Sequence, residues 1–164
     1  MNRFPESHRK LDAIVVGAGL VGASAALGLS RIGLRTALVD VGAPPSWNPQ
    51  DAPDLRVYAI SPGSSDLLDH LGAWQSIRTA RAQPYRAMRV WDAASPQDEL
   101  HFAADDAALP ALGHIVEQNL IQSRLWHALQ HASHIALHRP SRVVELHQDE
   151  DCVSVELDDG QHLK

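Results

Sequence analysis

Residues 11–40 read LDAIVVGAGLVGASAALGLSRIGLRTALVD, and this stretch decides the fold. Leu11 to Val16 is short, apolar and rich in β-branched side chains, as a parallel strand covered on both faces requires. Gly17, Gly19 and Gly22 follow as G-x-G-x-x-G at the point where a strand hands over to a helix. In a dinucleotide fold the first glycine makes the tight turn, the second admits a pyrophosphate, and the third lets the helix lie close on the strand. The small apolar run over residues 20–32 predicts that helix, and Arg31 and Gly33 are its stop signals. Its first turn offers unpaired N–H groups and the positive end of the helix dipole, which favour a phosphate. Residues 35–39 predict a second strand ending on Asp40, placed where a carboxylate holds a ribose hydroxyl pair. A carboxylate accepts from a free 2′-OH and repels a 2′-phosphate, so FAD or NAD fits better than NADP. The competing interpretation is a glycine turn that merely packs a helix on a sheet. The flanking strand, helix and acid together favour the dinucleotide.

Outward from that core, composition removes several function classes. The chain has 164 residues, 45% hydrophobic and 21% charged, which is ordinary for a globular domain with a real core. Fourteen basic against 20 acidic residues give a net charge of −6, so neither nucleic acid nor an anionic membrane is favoured electrostatically. Cys152 is the single cysteine, which rules out an internal disulfide and fits a reducing cytoplasm. Residues 1–10 are polar and read as a flexible lead-in to one segment over 11–164, not as a signal peptide. The most apolar stretch, residues 13–29, is strand plus helix rather than a transmembrane segment.

Beyond Asp40, four prolines (Pro44, Pro45, Pro49, Pro53) exclude helix and central strand over residues 41–54 and predict an ordered excursion. A short strand is expected over 55–60, then a helix over 63–71 capped by Ser61 with Pro62 at its first position. Residues 74–82 predict a further helical piece. Residues 87–92 and 99–103 predict a hairpin turning at 93–96, and 113–117 a strand entering a helix over 118–131. Ile121, Leu125, Ala128, Leu129 and Ala132 mark that helix's apolar face. The tail alternates as two strands followed by the turn pair Asp159-Gly160. With four residues left after that turn, the last strand is expected to lack a partner. The expected fold class is therefore α/β: a Rossmann-like βαβ core with part of a β-rich sheet, truncated, the N-terminal portion of a longer protein.

RVYAIS at residues 56–61, LLDHLGAW at 67–74, MRVWD at 88–92 and GHIVEQ at 113–118 follow the glycine motif in order. This series resembles the FAD-dependent aromatic-ring monooxygenases, and most of all the ubiquinone-biosynthesis hydroxylases, across residues 12–160. The resemblance implies a flavoprotein monooxygenase that hydroxylates an aromatic ring, a ubiquinone precursor, with O2 and a reductant such as NAD(P)H. It implies FAD contacts from Gly17, Gly19 and Gly22 (pyrophosphate), Asp40 (adenosine ribose), Arg56 (phosphate and ribose), Gln118 (ribityl or ribose) and Arg124 (phosphate). It implies an aromatic or polyprenyl-phenol substrate, and association with a membrane surface or a complex of ubiquinone enzymes. Asp40 stands where many relatives carry Glu, and Gln118 where Asn is commoner. The apolar strand leading to Gly-Asp, a third family motif, is absent. No catalytic residue is nominated, because the flavin carries the chemistry.

Two rival functions stay open on the sequence: another FAD- or NAD-dependent oxidoreductase, such as an amino-acid oxidase, or an inactive remnant. A nicotinamide dehydrogenase would have no need of RVYAIS or MRVWD. His127, His131 and His134 fall at helical spacing, but no acid or cysteine completes a metal set, so a solvated face is the better reading. Ser61 is a cap rather than a nucleophile. Trp47, Trp74, Trp91 and Trp126 are read as packing residues.

Overall fold

The computed structural model describes residues 10–43 and 45–164; the flexible lead-in expected over residues 1–10 therefore lies, apart from Lys10, outside the described residues. The chain divides into two compact units. One comprises residues 1–44 and 126–164, the other residues 45–125.

The first unit is built on β1 (Ala13–Val16), α1 (Leu20–Arg31) and β2 (Thr36–Val39). β1 pairs in parallel with β2, and β2 pairs on its other side with β8 (Ile135–His138), so β2 is central and fully buried. The chain thus leaves the sheet after β2, makes the whole second unit, and returns through α4 (Gln118–His131) to β8. That third parallel strand was not foreseen: IALH is a short run without alternation, and the open edge of β2 recruits it. An antiparallel sheet of β9 (Val143–Gln148), β10 (Val153–Leu157) and β11 (His162–Leu163) completes the unit. Ala37 and Val39 of β2 join Val155, Leu157 and Leu163 in one core cluster, with Leu11, Ile14 and Val143 packed against it. Alternation along β2 leaves Leu38 for the opposite face, where Ala23, Ala26 and Leu27 of α1 are buried.

The expectation of an unpartnered last strand is corrected here. Val155 pairs with Leu163 and Glu156 with His162, so the hairpin closes within the chain. Gly160, at φ +81°, takes the left-handed position that ends a three-residue loop, and its N–H donates to the Leu157 carbonyl. The Leu11 N–H then donates to the Lys164 carbonyl at 2.9 Å.

The second unit contains β3 (Val57–Ile60), α2 (Pro62–His70), α3 (Trp74–Arg81), β4 (Ala82–Tyr85), β5 (Ala87–Asp92), β6 (Ser95–Ala103), a 3-10 turn at Asp105–Ala107 and β7 (Gly113–Glu117). β7 lies between β3 and β4, antiparallel to both. β4 was not foreseen, since Pro84 argues against a strand; as an edge strand it tolerates the missing donor. Ser61 caps α2 as expected, its Oγ accepting from the Ser64 N–H at 3.3 Å. The β5–β6 hairpin turns on Ala93 and Ala94 alone, tighter than expected, with Asp92 paired to Ser95. Trp74 is buried edge-on against His114, but Trp91 is 59% exposed, so it is not a packing residue. α4 buries Ile121, Leu125 and Leu129, and Leu120 with them.

Candidate functional site

The glycine turn has the geometry its sequence demands. Gly17 sits at φ +99°, and its N–H donates to the Val39 carbonyl, which binds the turn to the end of β2. A Cβ on Gly22 would lie 1.9 Å from the Gly17 carbonyl oxygen, so helix and turn approach more closely than any side chain permits. A Cβ on Gly19 would meet nothing within 4 Å. Gly19 is the N-cap of α1, no side chain caps the helix, and its first turn carries no acid. The amides of that turn have no partner within the helix and present an electropositive cradle.

Asp40 stands beside this cradle and is already engaged. Its Oδ2 accepts from the Ala18 N–H at 2.6 Å and its Oδ1 from the Gly42 N–H at 2.7 Å, and Arg139 Nη2 forms an ion pair with Oδ1 at 3.2 Å. A carboxylate has about four acceptor positions; one on each oxygen takes a backbone amide, which leaves Oδ2 able to accept again. Arg139 also donates to the Gly42 and Ala43 carbonyls and lies over the Trp126 ring, 4.8 Å from its centroid. Its Nη1 is buried without a partner among the described residues. Sequence reasoning missed Arg139, because only the fold brings a residue 99 positions downstream of Asp40 to its side.

In the second unit, antiparallel pairing sets residue 56 across from residue 118. The Gln118 N–H donates to the Arg56 carbonyl at 2.9 Å, and Arg56 Nη1 donates to Gln118 Oε1 at 3.2 Å. The expected pair is thus brought together, with Tyr58 as an unforeseen third member: its hydroxyl donates to the same Oε1 at 3.1 Å. Asp54, Leu55, Arg56 and Gln118 line a shallow open depression. Arg124 packs on an aromatic ring. Its guanidinium lies over Trp47, 5.2 Å from the ring centroid, with Arg81 also over that ring at 5.4 Å, and its Nε is buried without a partner among the described residues. Glu117, 4% exposed, accepts from Arg81 at 2.9 Å and from the Asp54 N–H at 2.9 Å. It organises the excursion over residues 45–54, a role that no signal in the sequence announces.

The helical histidine series does not hold together. α4 ends at His131, so His134 lies in the following turn, while His127 and His131 stack with centroids 4.7 Å apart. Among the described residues no group of three or more His, Cys, Asp or Glu side chains is placed to hold a metal ion. Among them, too, no helix is long and apolar enough to cross a membrane.

Comparison with known proteins bears on what such a cradle takes. The chain is 31% identical over 158 residues to 3-demethoxyubiquinol 3-hydroxylase of Escherichia coli (strain K12), which covers 96% of this chain and 40% of that protein. It is 33% identical over 153 residues to ubiquinone hydroxylase UbiL of Rhodospirillum rubrum, covering 93% and 35% respectively. The solved structure of pqsL, a probable FAD-dependent monooxygenase from Pseudomonas aeruginosa, matches 95% of this chain and 40% of its own, with TM-score 0.70 and 17% identity. That of p-nitrophenol 4-monooxygenase PnpA from Pseudomonas putida matches 94% and 38%, with TM-score 0.69 and 22% identity. At those identities the structural likeness is one of fold. The chain spans 40% or less of the length of each of these relatives. The family model described as FAD binding domain matches residues 10–162, from the start of the described chain to the first residue of β11. Turn, cradle and family match agree, and the chain belongs to the FAD binding domain family.

Proposed function

We propose that this chain is the FAD-binding portion of a flavoprotein monooxygenase that hydroxylates an aromatic ring, a ubiquinone precursor, with O2 and a reductant such as NAD(P)H. The observation that carries this reading is the 31% identity, over 96% of the chain, to a protein named as a 3-demethoxyubiquinol 3-hydroxylase. The residues fit the cofactor on physical grounds: an uncapped helix start beside a glycine with open space, a carboxylate with acceptor capacity left, and a guanidinium–amide pair at a depression.

We assign Gly17, Gly19 and Gly22 to the pyrophosphate and Asp40 to the adenosine ribose. Arg56, Gln118 and Arg124 are assigned to phosphate, ribose or ribityl oxygens. Bound FAD supplies the redox chemistry that activates O2 toward the ring. The α1 amides neutralise phosphate charge without a counter-ion. Asp40 selects a free 2′-OH by accepting from it. No side chain of this segment is assigned a bond-making role. The substrate is an aromatic or polyprenyl-phenol ring, which draws the enzyme to a membrane surface or a complex of ubiquinone enzymes on the cytoplasmic side.

Parallel titrations of the purified chain with FAD and with NAD, followed by flavin and tryptophan fluorescence, test the cofactor assignment. Saturable FAD binding without an NAD response is expected. Binding of NAD alone would overturn the assignment.

A further inference from the structure

Two donors converge on one oxygen at Gln118. Arg56 has only N–H groups to offer, so the side-chain atom 3.2 Å from its Nη1 must be the amide oxygen. The Tyr58 hydroxyl reaches the same oxygen at 3.1 Å, which fills its second lone pair. The amide is thereby oriented, with its NH2 pointing the other way. One of those hydrogens goes to Gln122 Oε1 at 3.3 Å, and the second has no protein partner among the described residues. What Gln118 offers to a ligand is therefore an N–H donor, next to the remaining N–H groups of Arg56. Tyr58 shares a strand face with Arg56, two residues away, and is 38% exposed, so its ring is no part of the core.

We infer that Tyr58 is a positioning residue: it holds the Gln118 amide so that Gln118 presents an N–H donor beside the Arg56 guanidinium, a pair suited to acceptor oxygens of the phosphate or sugar-alcohol kind. This rests on the FAD assignment above and deepens it. Without the hydroxyl, Gln118 Oε1 has an unfilled lone pair, and the amide loses one of the two donors that hold its oxygen, keeping Arg56 there and Gln122 at its NH2.

The test is a double-mutant cycle read as FAD affinity of the 164-residue chain, with melting temperature recorded for each variant. Tyr58→Phe removes only the hydroxyl and is expected to weaken FAD binding about fivefold, the worth of one neutral hydrogen bond, with the melting temperature unchanged. In a Gln118→Ala background the same change is expected to have no further effect, a non-additivity that a merely structural tyrosine would not show. Gln118→Glu retains the oxygen that Arg56 and Tyr58 hold but removes the donor, and it is expected to bind FAD more weakly than Tyr58→Phe does. Equal FAD affinity of Tyr58→Phe and the unaltered chain overturns the inference. So does an undiminished Tyr58→Phe effect without Gln118, or a Gln118→Glu variant that binds FAD normally. Failure of the unaltered chain to bind FAD is a different result: it overturns the cofactor reading itself, and this inference with it.

Discussion

A methyl group on Gly22 would sit 1.9 Å from the Gly17 carbonyl oxygen, whereas one on Gly19 would meet nothing within 4 Å. The two glycines of one motif therefore answer to different constraints. Gly22→Ala must push helix from turn and is expected to cost ~1–3 kcal/mol in urea unfolding. Gly19→Val, at φ −68° and ψ −174°, is compatible with its backbone and is expected to leave stability within ~0.5 kcal/mol while abolishing FAD binding. Asp40 gives no such separation, because it joins the Ala18 and Gly42 amides to Arg139 in a mostly buried pair, with side chains 17% and 10% exposed. Asp40→Ala leaves a buried guanidinium unpaired and is expected to destabilise by about 3 kcal/mol as well as to weaken FAD binding. The sequence made the glycines and Asp40 legible because their spacing is local. Arg139, Tyr58 and Glu117 act through partners 36 to 99 positions away and left no local signal, although the i, i+2 spacing of Arg56 and Tyr58 was available.

Among the elements, those with their own punctuation were readable and those that depend on a neighbour were not. α1 and α2 carry glycine, serine and proline signals at their ends, and they lie where those signals put them. β8 and β4 are four residues each and exist because β2 and β7 offer edges to pair with. The proline-rich excursion was legible as irregular, but its anchoring was not: Arg81 donates to the Pro49 carbonyl at 2.8 Å and pairs with the buried Glu117. Arg81→Ala strands that carboxylate. With Arg81 one-third exposed, a loss of about 2 kcal/mol is expected, together with faster proteolytic cleavage within residues 45–54. The β5–β6 hairpin sets Met88 and Val90 opposite Phe102 and Leu100 on one face, and all four are exposed. Val90→Lys with Leu100→Lys is expected to raise solubility and lower dye binding to exposed apolar surface, with the melting temperature nearly unchanged.

For the whole molecule, His138 is the partly buried contributor to acid stability, beside the exposed carboxylates of Asp12, Glu99 and Asp149, which hydrogen bonds hold below the ordinary carboxylate range. Burial pushes His138 below the ordinary imidazole value of 6.5, with Gln161 and Asp159 drawing it part of the way back. The unfolded chain then binds the proton more readily, so this contribution is complete above pH 6.5 and is lost as pH falls toward the lowered folded value. His138→Gln is expected to flatten the fall in melting temperature between about pH 7.5 and 5.5, relative to the unaltered chain. The closure of β11 on β10 gives the first unit a completed antiparallel sheet over its parallel core, and the family match runs to that strand. The central claim is that an uncapped, glycine-lined helix start in this unit receives FAD. The most direct measurement is an FAD titration of the unaltered chain beside Gly19→Val, with circular dichroism confirming equal folding. Saturable binding by the first and none by the second is the predicted result. Equal binding by both, or none by a folded unaltered chain, would contradict it.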